Sequence, residues 1–231
     1  PLYAMQQEGK GYISLMLNVK NVKALQRIFN ENPRVMAEVM ETRTIPIMSP
    51  IYFPLPKGHG KDLNRYMAYL RVSPDKYGKV HSDIVGLSCP KDVHITYLSY
   101  SFGDDDMIVS LLAKDRGTAM AFVCGAIGKI KGVDAFDISR VVKYVPLMPT
   151  SKLKTHRAQF LFSAPTGKKG KLVNPQAYDK YLKERAVMPV IVRFFAKKSL
   201  AKLWEDIENN LPKFESKDLI LLGPEDEVSE P

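Results

Sequence analysis

Residues 93–114, VHITYLSYSFGDDDMIVSLLAK, decide the fold of the chain. Two runs rich in β-branched, aromatic and aliphatic residues flank a glycine and three consecutive aspartates. Such runs predict strands, and glycine and aspartate favour the tight turn between them. The stretch therefore predicts a hairpin with strands at 93–102 and 107–114, joined by the turn Gly103–Asp106.

The segments on either side extend this hairpin into a larger unit. Residues 66–73 predict a strand, and Pro74 suits the start of a helix that runs to about Leu87. Asp115 is a predicted N-cap, and the helix after it has apolar residues at helical spacing. The run 133–147 predicts a last strand. The order strand, helix, strand, strand, helix, strand is the βαββαβ arrangement of a ferredoxin-like fold.

Similar half-units flank this segment, so we predict an α+β protein of tandem ferredoxin-like units. The proposed segments are a partial unit with a connector at 1–64, a unit at 65–150, a basic unit at 151–223 and an acidic tail at 224–231. A ferredoxin-like sheet carries helices on one face only, and the other face needs cover. We therefore expect the sheets to pack face to face, as in dimeric α/β-barrels, and the protein to form a homo-oligomer.

Strand 93–102 is the strand that suggests this packing. Strict alternation places Val93, Ile95, Tyr97 and Ser99 on one face and His94, Thr96, Leu98 and Tyr100 on the other. Both faces are partly apolar, and burial of both is expected.

Composition excludes several classes of protein. Of 231 residues, 45% are apolar and 26% are charged, which is ordinary for a globular protein. No apolar run reaches the roughly 18 residues that a membrane span needs, so no membrane partner is expected. Cys89 and Cys124 are too few for a disulfide framework. Both should be reduced in a cytoplasmic protein, and Cys124 should pack in its helix.

Residues 66–148 resemble the effector-binding (RAM, ACT-like) domain of Lrp/AsnC-type regulators. The resemblance rests on AYLRVSPDKYGKV (68–80), ITYLSYSFGDDDMIVSLLAKD (95–115) and GKIKGVDAFDISRVV (128–142). Lys131 stands where the family has proline, and Ser139 lies near the expected threonine. Residues 1–65 do not resemble the helix-turn-helix module that precedes this domain in the family.

The resemblance implies a regulatory protein that binds a small, amino-acid-like effector at an interface between sheets. Carboxylates in a turn can bind an ammonium or guanidinium group. The alternative is that the same turn is a solvated hairpin tip, since Gly and Asp are favoured in hairpin turns. The effector site that we expect consists of Tyr100, Gly103, Asp104, Asp105, Asp106 and Ser139.

Two other functions stay open. One is an enzyme of the dimeric α/β-barrel type. It could hold haem through a histidine such as His81 or His94, although no catalytic, metal or cofactor motif is present and no cofactor is required. The other is a nucleic-acid-associated protein that uses residues 151–204, where 13 Lys or Arg meet two acidic residues. Its candidate contacts are Lys152, Lys154, Arg157, Lys168, Lys169 and Lys171.

Overall fold

The computed structural model describes residues 3–53, 63–147 and 188–211. Within these ranges the chain divides into two compact units. Unit 1 contains residues 3–47, 142–147 and 188–211, and unit 2 contains residues 48–53 and 63–141. Among the helices of the described ranges, none has the length and apolar character that a membrane span requires.

The described residues form eight strands, five α-helices and two short 3-10 turns. The strands are β1 (Tyr3–Gln7), β2 (Tyr12–Val19), β3 (Val39–Tyr52), β4 (Asn64–Val72), β5 (Val93–Ser101), β6 (Met107–Ala113), β7 (Val133–Pro146) and β8 (Met188–Ala196). The helices are α1 (Val22–Glu31), α2 (Pro33–Ala37), α3 (Tyr77–Val85), α4 (Arg116–Gly125) and α5 (Leu200–Asn210). The 3-10 turns are Pro74–Lys76 and Ile127–Lys129.

Unit 2 is an antiparallel sheet with the strand order β5-β6-β4-β7. Along the chain its elements run β4, α3, β5, β6, α4, β7. This chain order and sheet order are those of a ferredoxin-like unit, as predicted for residues 66–147. Asp115 caps α4 as predicted, since its Oδ1 accepts a 2.7 Å hydrogen bond from the Thr118 amide.

The core of unit 2 lies between one face of this sheet and helices α3 and α4. Alternate residues of β4 and β6 point into it, and the helices contribute the apolar positions that the sequence indicates. The fully buried helix residues are Val80, Ile84, Ala119 and Val123. We call the opposite face of the sheet the helix-free face of unit 2.

The predicted alternation along β5 is wrong beyond Ile95. The pairing of β5 with β6 shifts register between Ile95 and Tyr97, which marks a β-bulge at Thr96. Val93 and Ile95 pack in the core as predicted, but after the bulge Leu98 packs there in place of Tyr97 and Ser99. One extra residue in a strand exchanges the two faces for every residue that follows.

Both faces of β5 are nevertheless buried, as predicted. Of its nine residues, only His94 and Tyr100 are partly exposed, and the rest are buried. This burial is present in a single chain and does not by itself require a second copy. Homo-oligomerisation and the packing of tandem sheets stay predictions.

Unit 1 is a second antiparallel sheet, with the order β1-β2-β8-β3. Asn21 and Ser199 are the N-cap residues of helices α1 and α5, and their side chains accept from the Ala24 and Lys202 amides at 2.9 and 3.4 Å. The core lies on one face of the sheet and includes Ile13, Leu15, Val192, Phe194 and Trp204. The opposite face of the sheet is the helix-free face of unit 1.

Residues 33–37 form the short helix α2, which Pro33 opens. One expectation from the sequence is wrong, namely that Cys124 packs in its helix. Cys124 is exposed, because it lies on the outer side of α4. The division into segments 1–64, 65–150, 151–223 and 224–231 stays a prediction, since residues 148–187 and 212–231 lie outside the described residues.

Candidate functional site

The acidic turn, residues 102–106, joins β5 to β6 at one end of the unit 2 sheet. The Ser101 amide donates to the Asp106 carbonyl at 2.9 Å, and the Ser101 hydroxyl donates to the Asp105 carbonyl at 2.8 Å. Phe102, Gly103 and Asp104 are exposed, whereas Asp105 and Asp106 are half-buried. The turn is thus a closed loop with a defined outer and inner side.

Asp106 forms the inner side of the turn and binds it to the neighbouring strand and helix. Its amide donates to the Leu70 carbonyl at 2.8 Å. One carboxylate oxygen accepts from the Val72 amide at 2.8 Å, and the other accepts from the Tyr77 hydroxyl. These bonds join the turn to the end of β4 and the start of α3. A carboxylate engaged in this way positions the turn.

A stack of three rings begins at this carboxylate, with Tyr77 as the ring that bonds to it. The Tyr77 and Tyr100 rings stack with centroids 6.3 Å apart, and His81 stacks on Tyr100 at 4.8 Å. The hydrogen bond to Asp106, with burial and the negative charge, raises the pKa of Tyr77 to about 12. Burial raises the pKa of Tyr100 and lowers the pKa of His81. Both tyrosines and the imidazole are therefore neutral near pH 7.

His81 has one buried atom that no other group satisfies. Its Nε2 is shielded from solvent and has no hydrogen-bond partner among the described residues. An unsatisfied buried polar atom costs about 1–3 kcal/mol, so it needs an explanation. The stacking on Tyr100 holds the imidazole in a position where Nε2 stays unsatisfied.

The structure does not bring all the predicted effector residues together. Tyr100 pairs with Met107 and lies on the helix-covered face of the sheet, next to α3. Ser139 pairs with Met67, one position from the core residues Ala68 and Ile138, and so lies on the helix-free face. The turn residues Gly103 to Asp106 lie together with Tyr100, and Ser139 is separate from them.

The helix-free face of unit 2 carries a polar cluster that sequence reasoning missed. Arg65 donates through Nη1 to the Ser110 hydroxyl at 3.0 Å and to the Thr96 hydroxyl at 3.3 Å. Thr96 also donates to the Ser110 hydroxyl at 3.0 Å. Ser99 is fully buried on this face, and its hydroxyl has no partner among the described residues. The sequence signal that could have indicated this cluster is the presence of serine and threonine on two adjacent predicted strands.

The other candidates stand as follows. His81 lies on α3 and His94 on β5, and within the described ranges no three His, Cys, Asp or Glu residues form a metal site. Haem binding stays untested. The candidate nucleic-acid contacts lie outside the described residues; they are Lys152, Lys154, Arg157, Lys168, Lys169 and Lys171.

Comparison with solved structures gives distant likenesses. No protein-family model matches the sequence, and no curated protein does. Three solved structures of Lrp/AsnC-family regulators superpose on part of the chain. MtbAldR is 17% identical with a TM-score of 0.32, and 40% of this chain covers 61% of that one. E. coli AsnC is 11% identical with a TM-score of 0.31, and PH0061 is 15% identical with a TM-score of 0.30. For each of these two, 53% of this chain covers 72% of the other.

This chain thus spans less than two thirds of MtbAldR. TM-scores of this size do not establish membership of the family.

Proposed function

We propose that the chain is a non-catalytic regulatory protein that binds a small, amino-acid-like molecule at the acidic turn of unit 2. The observation that carries this proposal is the anchoring of the turn through Asp106. The Val72 amide and the Tyr77 hydroxyl both bond to its carboxylate. A turn fixed before the ligand arrives loses little conformational entropy on binding.

The outer side of the same turn offers suitable chemistry for such a ligand. Asp104 is exposed on it, Asp105 is half-buried, and Phe102 of the same turn is exposed. A carboxylate binds an ammonium group through charge-assisted hydrogen bonds. An exposed aromatic ring in the same turn offers an apolar contact for the side chain of the ligand, and also attracts a cation. Together they suit a molecule with an amine and a short apolar part.

The proposal includes a homo-oligomer whose copies meet near this turn. Phe102 is 53% exposed, and a large exposed apolar side chain at a rigid turn favours contact with another protein surface. Light scattering of the wild type and of Phe102→Ser tests this part. An oligomer that dissociates in Phe102→Ser is expected, and a wild-type monomer at all concentrations contradicts it.

A thermal-shift screen of the common amino acids tests the ligand. We expect at least one of them to raise the unfolding midpoint of the wild type, because a ligand that binds only the folded state stabilises it. The shift should be lost in Asp104→Ala. The matched control is Asp92→Ala, which removes an exposed carboxylate next to the opposite end of β5. No stabilising amino acid, or an equal loss in the Asp92 variant, contradicts the proposal.

A further inference from the structure

Helix α3 contacts the acidic turn region of unit 2 through two residues on the same side of the helix. The Tyr77 hydroxyl donates a hydrogen bond to the Asp106 carboxylate. His81 lies four residues later, so its side chain projects beside that of Tyr77. The His81 ring stacks on Tyr100, with ring centroids 4.8 Å apart. Because Tyr100 belongs to β5, the strand that leads into the turn, one side of α3 holds both the turn and the strand before it.

The stacked position of His81 suits the neutral imidazole and not the charged one. In the imidazolium both ring nitrogens are hydrogen-bond donors. Nε2 of His81 is shielded from solvent and has no acceptor among the described residues. A charged donor that is buried without an acceptor is strongly unfavourable. The face of the Tyr100 ring attracts a cation, but burial has the larger effect and lowers the pKa of His81.

The charged residues nearest to His81 along the chain already have partners. Lys76 pairs with Asp75 just before α3 begins. Lys79 pairs with Asp83 at 2.6 Å. These last two lie two residues before and two residues after His81, so they project away from it around the helix. Neither pair compensates a charge on the imidazole.

The other titratable groups that line this core are uncharged near neutral pH. They are three tyrosines and one cysteine, namely Tyr66, Tyr77, Tyr100 and Cys89. Tyrosine and cysteine ionise above pH 8. The carboxylate of Asp106 carries the negative charge of this region, and its two oxygen atoms accept from the Val72 amide and the Tyr77 hydroxyl. A protonated His81 therefore gains no ion pair where it stacks in the described part of the chain.

We propose that protonation of His81 releases the acidic turn. The charged imidazole leaves Tyr100 for solvent, the start of α3 moves with it, and Tyr77 no longer bonds to Asp106. The turn is anchored at pH 7.5 and loses this anchor in mildly acidic solution. Weaker binding of an amino-acid-like ligand at acidic pH follows, and that consequence alone rests on the function proposed above.

Hydrogen exchange of the full chain, measured by nuclear magnetic resonance without any ligand, tests the release. The amides to follow are those of Val72 and Asp106, which donate to the Asp106 carboxylate and to the Leu70 carbonyl. We expect their protection, corrected for the intrinsic effect of pH, to fall several-fold between pH 7.5 and pH 5.0. A group that titrates at its ordinary pKa of 6.5 in the open form sets an upper limit of about 30-fold.

Two variants assign the effect to His81. His81→Phe keeps a stacking ring that cannot be protonated, so the protection of both amides should no longer depend on pH. His94→Phe is the matched control. His94 lies on the helix-free face of β5, because its neighbours Val93 and Ile95 pack in the core. His94→Phe should keep the fall that the wild type shows.

The wild type alone can overturn the proposal, whether or not the variants fold. Unchanged protection at Val72 and Asp106 does so, and so does an equal fall at Val109 in the middle of the sheet, which would mean global unfolding. An equal fall in His81→Phe, or its loss in His94→Phe, also contradicts it. Release of the turn in a chain that binds no amino acid would refute the proposed function only, and ligand binding without release would refute the switch only.

Discussion

Replacement of Asp106 by alanine should destabilise the fold far more than replacement of its neighbour Asp104. The change removes the acceptor of the Val72 amide at 2.8 Å and of the Tyr77 hydroxyl. Hydrogen bonds to charged groups contribute about 1.5–3 kcal/mol each. We take about 1.5 kcal/mol for the Val72 bond, and about 1 kcal/mol for the Tyr77 bond because that hydroxyl can turn to water.

The expected loss in the free energy of unfolding is therefore about 2.5 kcal/mol. Urea denaturation at pH 7 measures it. Asp104→Ala is the control, with the same change in charge and an expected effect within about 0.5 kcal/mol, since Asp104 is exposed. Tyr77→Phe should account for about 1 kcal/mol, and should cost nothing more once Asp106 is already alanine. Equal losses for Asp104→Ala and Asp106→Ala would refute the reasoning.

Three more outcomes are expected. The pKa of Tyr77 is raised from 10.0 to about 12. The contribution of Tyr77 to stability is therefore present below pH 10 and is lost as the pH rises from 10 to about 12. A pH series of urea melts should show this loss, and Tyr77→Phe should lack it. Burial lowers the pKa of His81 from 6.5, so stability should fall as the pH drops below 6.5, and His81→Phe should flatten that slope. Gly132 has φ of +109°, and an added Cβ would lie 2.5 Å from Cβ of Lys76. Gly132→Ala should therefore cost about 2 kcal/mol, whereas the helical control Gly78→Ala, with open space around it, should add about 0.5 kcal/mol; calorimetry of both variants checks the difference.

The architecture of unit 2 could be predicted from the sequence because its signals are local. Alternation and turn residues indicate the strands, and capping residues such as Asp115 mark where helices start. The bulge at Thr96 has no such local signal, since it depends on how β5 pairs with β6. The predicted faces of Tyr97 to Tyr100 were therefore exchanged.

The arrangement of unit 1 could not be derived in the same way. Its strand β2 pairs with β8, which lies more than 160 residues further along the chain. No local pattern in a sequence specifies such a partner. The alignment of Ser14, Arg43 and Arg193 follows from this pairing and was equally hidden, because they are ordinary strand residues until the register places them side by side.

The candidate site at the acidic turn was only partly predictable. Glycine and consecutive aspartates indicate a turn with negative charge. The sequence does not indicate that Asp106 points inward to Val72 and Tyr77 while Asp104 is exposed. That distinction depends on where the end of β4 and the start of α3 meet the turn. The distinction makes Asp106 a positioning residue and Asp104 a candidate ligand contact.

Nuclear magnetic resonance of the isotopically labelled chain tests the central claim most directly. The amide spectrum is recorded before and after addition of the amino acid that gives the largest thermal shift, or of an equimolar mixture of amino acids. We predict that the largest changes occur at residues 102–106 and at their contacts Val72 and Tyr77. An unchanged spectrum, or changes that leave residues 102–106 unaffected, contradicts it.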